Sequence, residues 1–470
     1  MSDRPQARDN WTRNALFAFS AVALYQALRI SAGTFSPLAL CGLLIACLAL
    51  LWGAFGPPIL RIEARREKAV LIVLAGGVAL QFVELLQPAV RDYYRGPLVY
   101  TLYIAGLAAC AVLTMSATTG RAPSGKTWFV AVVIVHFFLG IAYLHLADPR
   151  VIDVLVFQQD ASAALLSGHN PYALTFPNIF GEAWRYFYDP GIVANGRVLV
   201  LPYPPLSLLL CLPSYLLTGD VRYAHLAATT LSGLLIGFSG RGLLSKLAAV
   251  LFLFSPNVFL VVQVSWTEPF VVLLLSLVLF QCGSRRSPFL ALGLLLASKQ
   301  YAVLAVPLAA WLLIRDRSWR AYWVLILRAG AVSLAVTLPL ALWNFKPFFR
   351  SVVMMQVLQP FRPDSLSIPA WLVRLGLPQP PSWPAFVAMG VAGFFLLKRL
   401  RPSPAGFAGT LAVMYMVFFS LNKQAFLNYY FLVGACLCGA IAAADIEDTL
   451  DPGSLVETDP ILREGQAGGK

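Results

Sequence analysis

Residues 127–172 read TWFVAVVIVHFFLGIAYLHL followed by ADPRVIDVLVFQQDASAALLSGHNPY. The first segment, Thr127 to Leu146, contains no Asp, Glu, Lys or Arg. A helix of about 17–25 such residues crosses the hydrocarbon core of a bilayer. Stretches of this kind recur along all 470 residues, of which 59% are hydrophobic and 12% charged, with a mean hydropathy of +0.73. So few charges cannot cover a soluble core of this size. Disorder, collagen and coiled coil are excluded on the same composition. The fold class is therefore all-α: a polytopic transmembrane helical bundle.

Working outward, the apolar runs lie at 14–31, 36–55, 69–87, 97–115, 127–146, 203–218, 223–238, 246–264, 268–283, 288–313, 321–343, 383–398, 405–421 and 426–444, giving about 13 or 14 crossings. The chain divides into a cytoplasmic N-terminus (1–13), N-terminal transmembrane helices (14–146), an outer loop (147–202), a C-terminal bundle (203–444) with an outer loop at 344–383, and a disordered acidic cytoplasmic tail (445–470). The net charge of +13 sits in short basic runs between apolar segments, such as Arg61 to Lys68, Arg315 to Arg320 and Lys398 to Arg401. This is the pattern of cytoplasmic loops facing anionic lipid, not of nucleic-acid binding. It places 147–202, 344–383 and the Asn422-Lys423 loop outside. Arg241, Lys246, Arg285 and Arg286 break simple alternation. Either a segment between 203 and 264 fails to cross, or 288–313 is a broken hairpin with Lys299 near its outer tip. No cleavable signal peptide is expected, since Met1 to Arg13 is polar. The seven cysteines lie in or beside apolar runs without a Cys-x-x-Cys pair, and the four histidines are scattered. Neither set suggests disulfides or zinc.

The 147–202 segment is too long for a simple connector. A helix over 153–167 puts Asp153 and Asp160 on one face, with Phe157, Ala161, Ala164 and Leu165 opposite Gln158, Gln159 and Ser162. Such a helix suits the outer membrane surface. Gly168 ends it and Asn170-Pro171 makes the turn. A carboxylate beside an apolar helix end has its pKa raised toward the working range of a general base. Asp153 is the first candidate for that role and Asp160 the second; a helix cap or a solvated charge is the alternative.

The pattern Asp153-x-x-x-Phe157, Leu165-Leu-Ser-Gly-His-Asn-Pro-Tyr172 and Tyr203-Pro-Pro-Leu206 resembles the polytopic GT-C glycosyltransferases, and most closely family 87, which includes mannosyltransferases using polyprenyl-phosphate mannose. Further matches are Gln263-x-x-x-x-Glu268, Ala297-Ser-Lys299-Gln-Tyr301 and Asn422-Lys423-Gln with Tyr429-Tyr430. The resemblance covers about 150 to 430. It implies an inverting transferase that takes a lipid-phosphate sugar from the bilayer and passes it to a glycan or glycolipid hydroxyl. An outer-loop aspartate, here Asp153, removes the acceptor proton. It further implies substrate contacts at Asn170, Tyr172, Tyr203, Gln300 and Tyr429, and a bacterial inner membrane with the site on the extracytoplasmic side. This chain departs from the family by carrying that loop after about five spans instead of one.

The anionic leaving group calls for cations at the outer surface. Lys423 fits, and Lys299 fits if its hairpin exists. A lysine within an apolar run costs about 2.5–3.5 kcal/mol on insertion scales, so Lys299 needs a purpose or a partner such as Glu268 or Glu84. His169 is a third candidate for donor phosphate. Arg362 and Asp364 stand for acceptor or phosphate binding, or for solvated loop charge. Trp184, Tyr186 and Tyr188 stand for sugar stacking, or for an interfacial aromatic belt. Glu268 is either a helix cap or a substrate-orienting acid. No cofactor is required; Asp153 with Asp160 could hold a divalent cation, but a magnesium site usually needs further oxygen ligands. Two other functions compete with the transferase. A transporter or lipid-linked-saccharide flippase calls for internal repeats and intramembrane acids, and an envelope polysaccharide assembly protein differs only in acceptor.

Overall fold

The computed structural model describes residues 4–57, 66–86, 97–122, 126–146, 150–284 and 286–447. The basic residues Arg61 and Arg65, Asp148, Arg285 and the tail beyond 447 lie outside the described residues. The N-terminal half is five helices: α1 (Arg4–Ser31), α2 (Pro37–Phe55), α3 (Arg66–Leu85), α4 (Pro97–Thr118) and α5 (Thr127–Leu146). Of the segment expected as a cytoplasmic N-terminus (1–13), the residues from Arg4 on are the first part of α1. Alternating polar residues do not prevent a helix from continuing out of an apolar run. Similarly, the boundary expected at 445 falls inside the last helix.

The connection after α5 holds helix α6 (Asp153–Leu166), the short helix α7 (Trp184–Phe187) and a three-stranded antiparallel sheet. Its strands are β1 (Phe176–Pro177), β2 (Val193–Ala194) and β3 (Arg197–Val198), with β3 central and Val198 opposite both Phe176 and Val193. Strands of two residues have no readable period, so the sheet is absent from the sequence expectation.

The rest of the bundle is α8 (Pro205–Thr218), α9 (Arg222–Ser239), α10 (Leu243–Leu253), α11 (Val258–Gln263), α12 (Glu268–Gly283), α13 (Phe289–Ser298), α14 (Gln300–Ala310), α15 (Trp319–Trp343), α16 (Phe345–Phe349), α17 (Met355–Leu358), α18 (Ile368–Arg374), α19 (Trp383–Arg399), α20 (Pro404–Ser420) and α21 (Leu427–Glu447). A π turn, Arg350–Met354, joins α16 to α17. Among the described residues six helices are long and apolar enough to cross a membrane: those at 37–55, 68–85, 98–118, 127–145, 319–343 and 427–444. Several of the other apolar runs fold as shorter or interrupted helices. The expected continuous span 246–264 breaks between α10 and α11, where Pro256 cannot donate and Asn257 takes a left-handed φ of 63°. The span 288–313 breaks at Lys299, whose extended backbone (φ −156°, ψ 146°) separates α13 from α14.

Packing has two tiers. Helices α10, α20 and α21 are buried almost throughout, whereas α4, α15 and α19 present rows of exposed Leu, Val and Phe suited to lipid. Close approaches use small residues, as expected where helices gain no hydrophobic drive from lipid. At Gly293, which places α13 against α15, an added Cβ would sit 2.6 Å from Val332 Cβ and also strike the Ala329 carbonyl. Gly293→Val is expected to lower stability by about 1–3 kcal/mol, measured as a lower thermal midpoint of the detergent-solubilised protein. An unchanged midpoint would show that α13, and with it Lys299, is not seated by this contact.

Candidate active site

Asp153 opens α6, where an acid is favoured by the helix's positive end. One carboxylate oxygen accepts from the Val154 N–H at 2.9 Å, and the other accepts from the Tyr188 hydroxyl at 2.8 Å. Tyr188 is buried at the end of α7, its backbone N–H closing that turn onto Trp184. Burial pushes the Asp153 carboxyl up from its ordinary value. The Tyr188 hydroxyl, the Val154 N–H and the Arg362 charge pull in the other direction without cancelling it. Tyr188 is itself raised, by burial first and by the Asp153 charge second.

The docking of α6 corrects the face expected from periodicity. Gln158 and Ser162, placed on a solvated side, are buried along with Phe157 and Ala161. Helix α6 packs on two flanks. Phe157 meets the Phe176 ring edge-on at 4.9 Å, while the Gln158 amide donates to the Ser265 carbonyl at 2.6 Å and its oxygen accepts from Cys211 Sγ at 3.2 Å. Gln159 ties the helix to Gly219 and Val221 in the turn between α8 and α9.

Arg362 reaches this group from a segment two hundred residues away. Its guanidinium forks onto Asp364 at 2.9 and 2.7 Å. It also lies over the rings of Tyr186, Phe187 and Phe426 at 4.7, 4.6 and 4.9 Å. The guanidinium and the Tyr186 hydroxyl hold Asp364 below its ordinary value against the opposing effect of burial. Arg362 acts electrostatically on both Asp153 and Tyr429. The Arg362 N–H donates to the Lys423 carbonyl (3.1 Å) and Leu366 N–H to that of Ala425 (2.9 Å), stitching 362–366 to 423–425.

Beside them lies a buried ion pair. Lys299 Nζ is 3.1 Å from Glu268 Oε1 and also donates to Thr267 Oγ1. Its ammonium stands 5.0 Å from the centre of the Tyr203 ring, and the Tyr301 hydroxyl donates to the same Glu268 oxygen at 3.3 Å. Glu268 is the first residue of α12, with Pro269 fitting the first turn, and its side chain is fully enclosed. Of the two partners considered for Lys299, Glu268 is the one present. Glu84 pairs with Arg29 at 3.2 Å. Tyr203 joins the clusters, lying within electrostatic reach of Asp153, Glu268, Tyr429 and Tyr188.

The remaining candidates fall at varying distances from this centre. Tyr172 is buried and donates to the Tyr203 carbonyl at 2.7 Å. Gln300 donates to the carbonyls of Pro202 and Val352 at 2.9 and 3.0 Å. Tyr429 packs on Phe419 and Tyr301. Lys423 Nζ donates to the Val357 and Gln359 carbonyls at 3.0 and 2.6 Å, and partial burial lowers its pKa. Asn170 caps the turn at Pro171 by accepting from Tyr172 N–H. His169 is exposed at the end of α6, and Asp160 is exposed two turns from Asp153 with Arg197 as its charged neighbour. Thr267, Gln158 and Phe426 were not singled out as site residues; each acts by contacts across the fold that carry no local signal. Among the described residues no three His, Cys, Asp or Glu side chains gather as metal ligands.

Fold and site together define an integral membrane protein built as an all-helical bundle, with a carboxylate, an ion pair and two further cations at one junction. No family model matches the chain, and no curated protein sequence matches it. Among solved structures it is similar to ArnT from Cupriavidus metallidurans bound to undecaprenyl phosphate, at 19% identity over 70% of this chain and 61% of that one, with a TM-score of 0.44. It is also similar to ArnT from the same organism in the apo state, at 21% identity over 75% and 62%, with a TM-score of 0.43. The chain thus spans about three fifths of the length of the ArnT chains it matches.

The Tyr188 hydroxyl favours the ionised form of Asp153, so its loss raises the Asp153 pKa further. In Tyr188→Phe the half-point of carbodiimide labelling at Asp153, which requires the protonated acid, is expected to move to higher pH. A half-point that stays put or falls would show that the hydroxyl does not hold the carboxylate.

Proposed function

We propose that the chain is a membrane glycosyltransferase that moves a sugar from a polyprenyl-phosphate donor to an acceptor hydroxyl, with Asp153 as general base. The observation that carries this reading is a half-buried carboxylate held by a tyrosine 35 residues on and within electrostatic reach of Arg362, with a buried Lys299–Glu268 pair linked to it through Tyr203. Resemblance of the Asp153, Tyr203, Lys299 and Lys423 motifs to family 87 supports mannose as the sugar and a glycan or glycolipid as acceptor. The basic-loop pattern supports an inner-membrane protein with this site on the extracytoplasmic side, formed by 147–202 and 344–383 over the helices of 14–146 and 203–444.

In the reaction, ionised Asp153 takes the acceptor O–H proton as the oxygen attacks the anomeric carbon. The bond from that carbon to the phosphate oxygen breaks, and its electron pair leaves with the lipid phosphate. Desolvation suits the carboxylate to this step, because a raised pKa strengthens it as a base near neutral pH. The departing phosphate gains charge, which Lys423 offsets when phosphate oxygens replace its present carbonyl acceptors, and Lys299 adds to the local field from within its pair with Glu268. Arg362, held flat by three rings, keeps positive charge beside the base throughout. Asn170, Tyr172, Tyr203, Gln300, Tyr429 and Glu268 shape the sugar's surroundings, His169 and Asp160 lie at the rim, and the reading calls for no cofactor.

Asp153→Asn relieves the burial of a charge and is expected to remain folded. It should lose transfer from labelled polyprenyl-phosphate mannose in proteoliposomes by about 10²–10⁴-fold. Transfer at the normal rate would remove Asp153 from the role. Lys423→Gln is expected to raise the donor KM about tenfold or more, and an unchanged KM would overturn its part in phosphate binding.

A further inference from the structure

Residues 345–358 form one continuous helical segment, α16, the π turn and α17, of fourteen residues. At about 21 Å it is too short to cross a bilayer. One face is buried: Phe348 packs on the Tyr172 ring at 4.9 Å, Ser351 accepts from Leu201 N–H, and Val352 and Met355 are enclosed. The opposite face carries Phe345, Phe349, Val353 and Val357, all exposed, at a spacing of four. In a plain α-helix residues four apart drift by about 40° per step. The π turn at 350–354 offsets that drift and holds the apolar stripe in line. Its only charged side chains, Lys346 and Arg350, are basic and exposed.

Exposed apolar side chains do not begin at 345. Leu338 and Leu342 on α15, a helix long enough to span, are also exposed, and α15 joins α16 through the single residue Asn344. A lipid-facing helix is therefore followed directly by one that cannot itself cross. Apolar stripe, flanking lysine and arginine, and continuity with a lipid-facing helix together specify one occupant.

We infer that the 345–358 segment lies in the surface of the bilayer, with Phe345, Phe349, Val353 and Val357 among acyl chains and Lys346 and Arg350 at anionic phospholipid headgroups. This surface stands independently of the transferase reading. Its backbone supplies acceptors to two residues of the proposed substrate site, Val352 O to Gln300 and Val357 O to Lys423.

The full chain, with Cys41 and Cys47 replaced by alanine, is labelled with a fluorophore at Val353→Cys or Val357→Cys and placed in phosphatidylglycerol–phosphatidylcholine vesicles. Nitroxide groups on the lipid chains are expected to quench both positions several-fold more than aqueous iodide. The exposed Glu182→Cys position is expected to show the reverse order. Nitroxide on phosphatidylglycerol should quench about twofold more than on phosphatidylcholine, and Lys346→Glu should abolish that preference. Stronger quenching by iodide would overturn the inference by placing the stripe in water. Protection from both quenchers would overturn it in favour of a second copy of the chain covering the face. Equal quenching by the two lipids would overturn the headgroup assignment.

Discussion

The junction depends on a buried ion pair between two places where helices stop. Glu268 begins α12 after a left-handed residue, Ser265, and Lys299 is the extended residue between α13 and α14. A charge placed alone in this apolar surrounding would be costly, and removing one partner of such a pair costs about 3–5 kcal/mol. The pair therefore fixes where both breaks occur. Around it gather Tyr203, which opens the approach to α8, and Tyr301 at the start of α14. The polar centre of the molecule is thus assembled from interruptions in its helices, enclosed by surrounding protein.

Two features divide the electrostatic work. The Lys299–Glu268 pair is balanced within itself and buried. Arg362 is balanced by Asp364 yet clamped between rings, so its charge is fixed in direction as well as in amount. Asp153 receives help from neither pair by direct contact. Its own oxygens are met by one hydroxyl and one backbone N–H, and burial outweighs them. That balance, a carboxylate held in place but not fully compensated, separates it from Asp364, whose neighbours win against burial.

Much of this was legible in the chain. Apolar length gave the all-helical membrane fold. The Asp153–Leu166 helix followed from its spacing and from Gly168, and the lysine in an apolar run raised, as one of two alternatives each, the break at 299 and a carboxylate partner. The face of α6 was not legible, because periodicity distinguishes polar from apolar sides but cannot foresee a glutamine buried against a distant carbonyl such as Ser265. Nor was the junction of 359–367 with 422–430 legible. Most of it is made by backbone groups and by side chains on backbone carbonyls, Lys423, Gln424 and Tyr430 among them, contacts that leave no mark on side-chain pattern. Tyr188 could be noticed as one aromatic among three, but only the turn of α7 brings its hydroxyl to Asp153.

The manner in which α6 is held carries a mechanical consequence. Asp153 is fastened at one end, Gln158 to the Ser265 loop and Gln159 to the turn at Gly219–Val221. Gln159 and Asp153 lie about 9 Å apart along the axis. Three tethers on so short a rod couple its two ends mechanically. A tilt of the α8–α9 hairpin would arrive at the carboxylate as a displacement of its oxygens, so strain elsewhere in the bundle would register first as a change in the aim of a single acid.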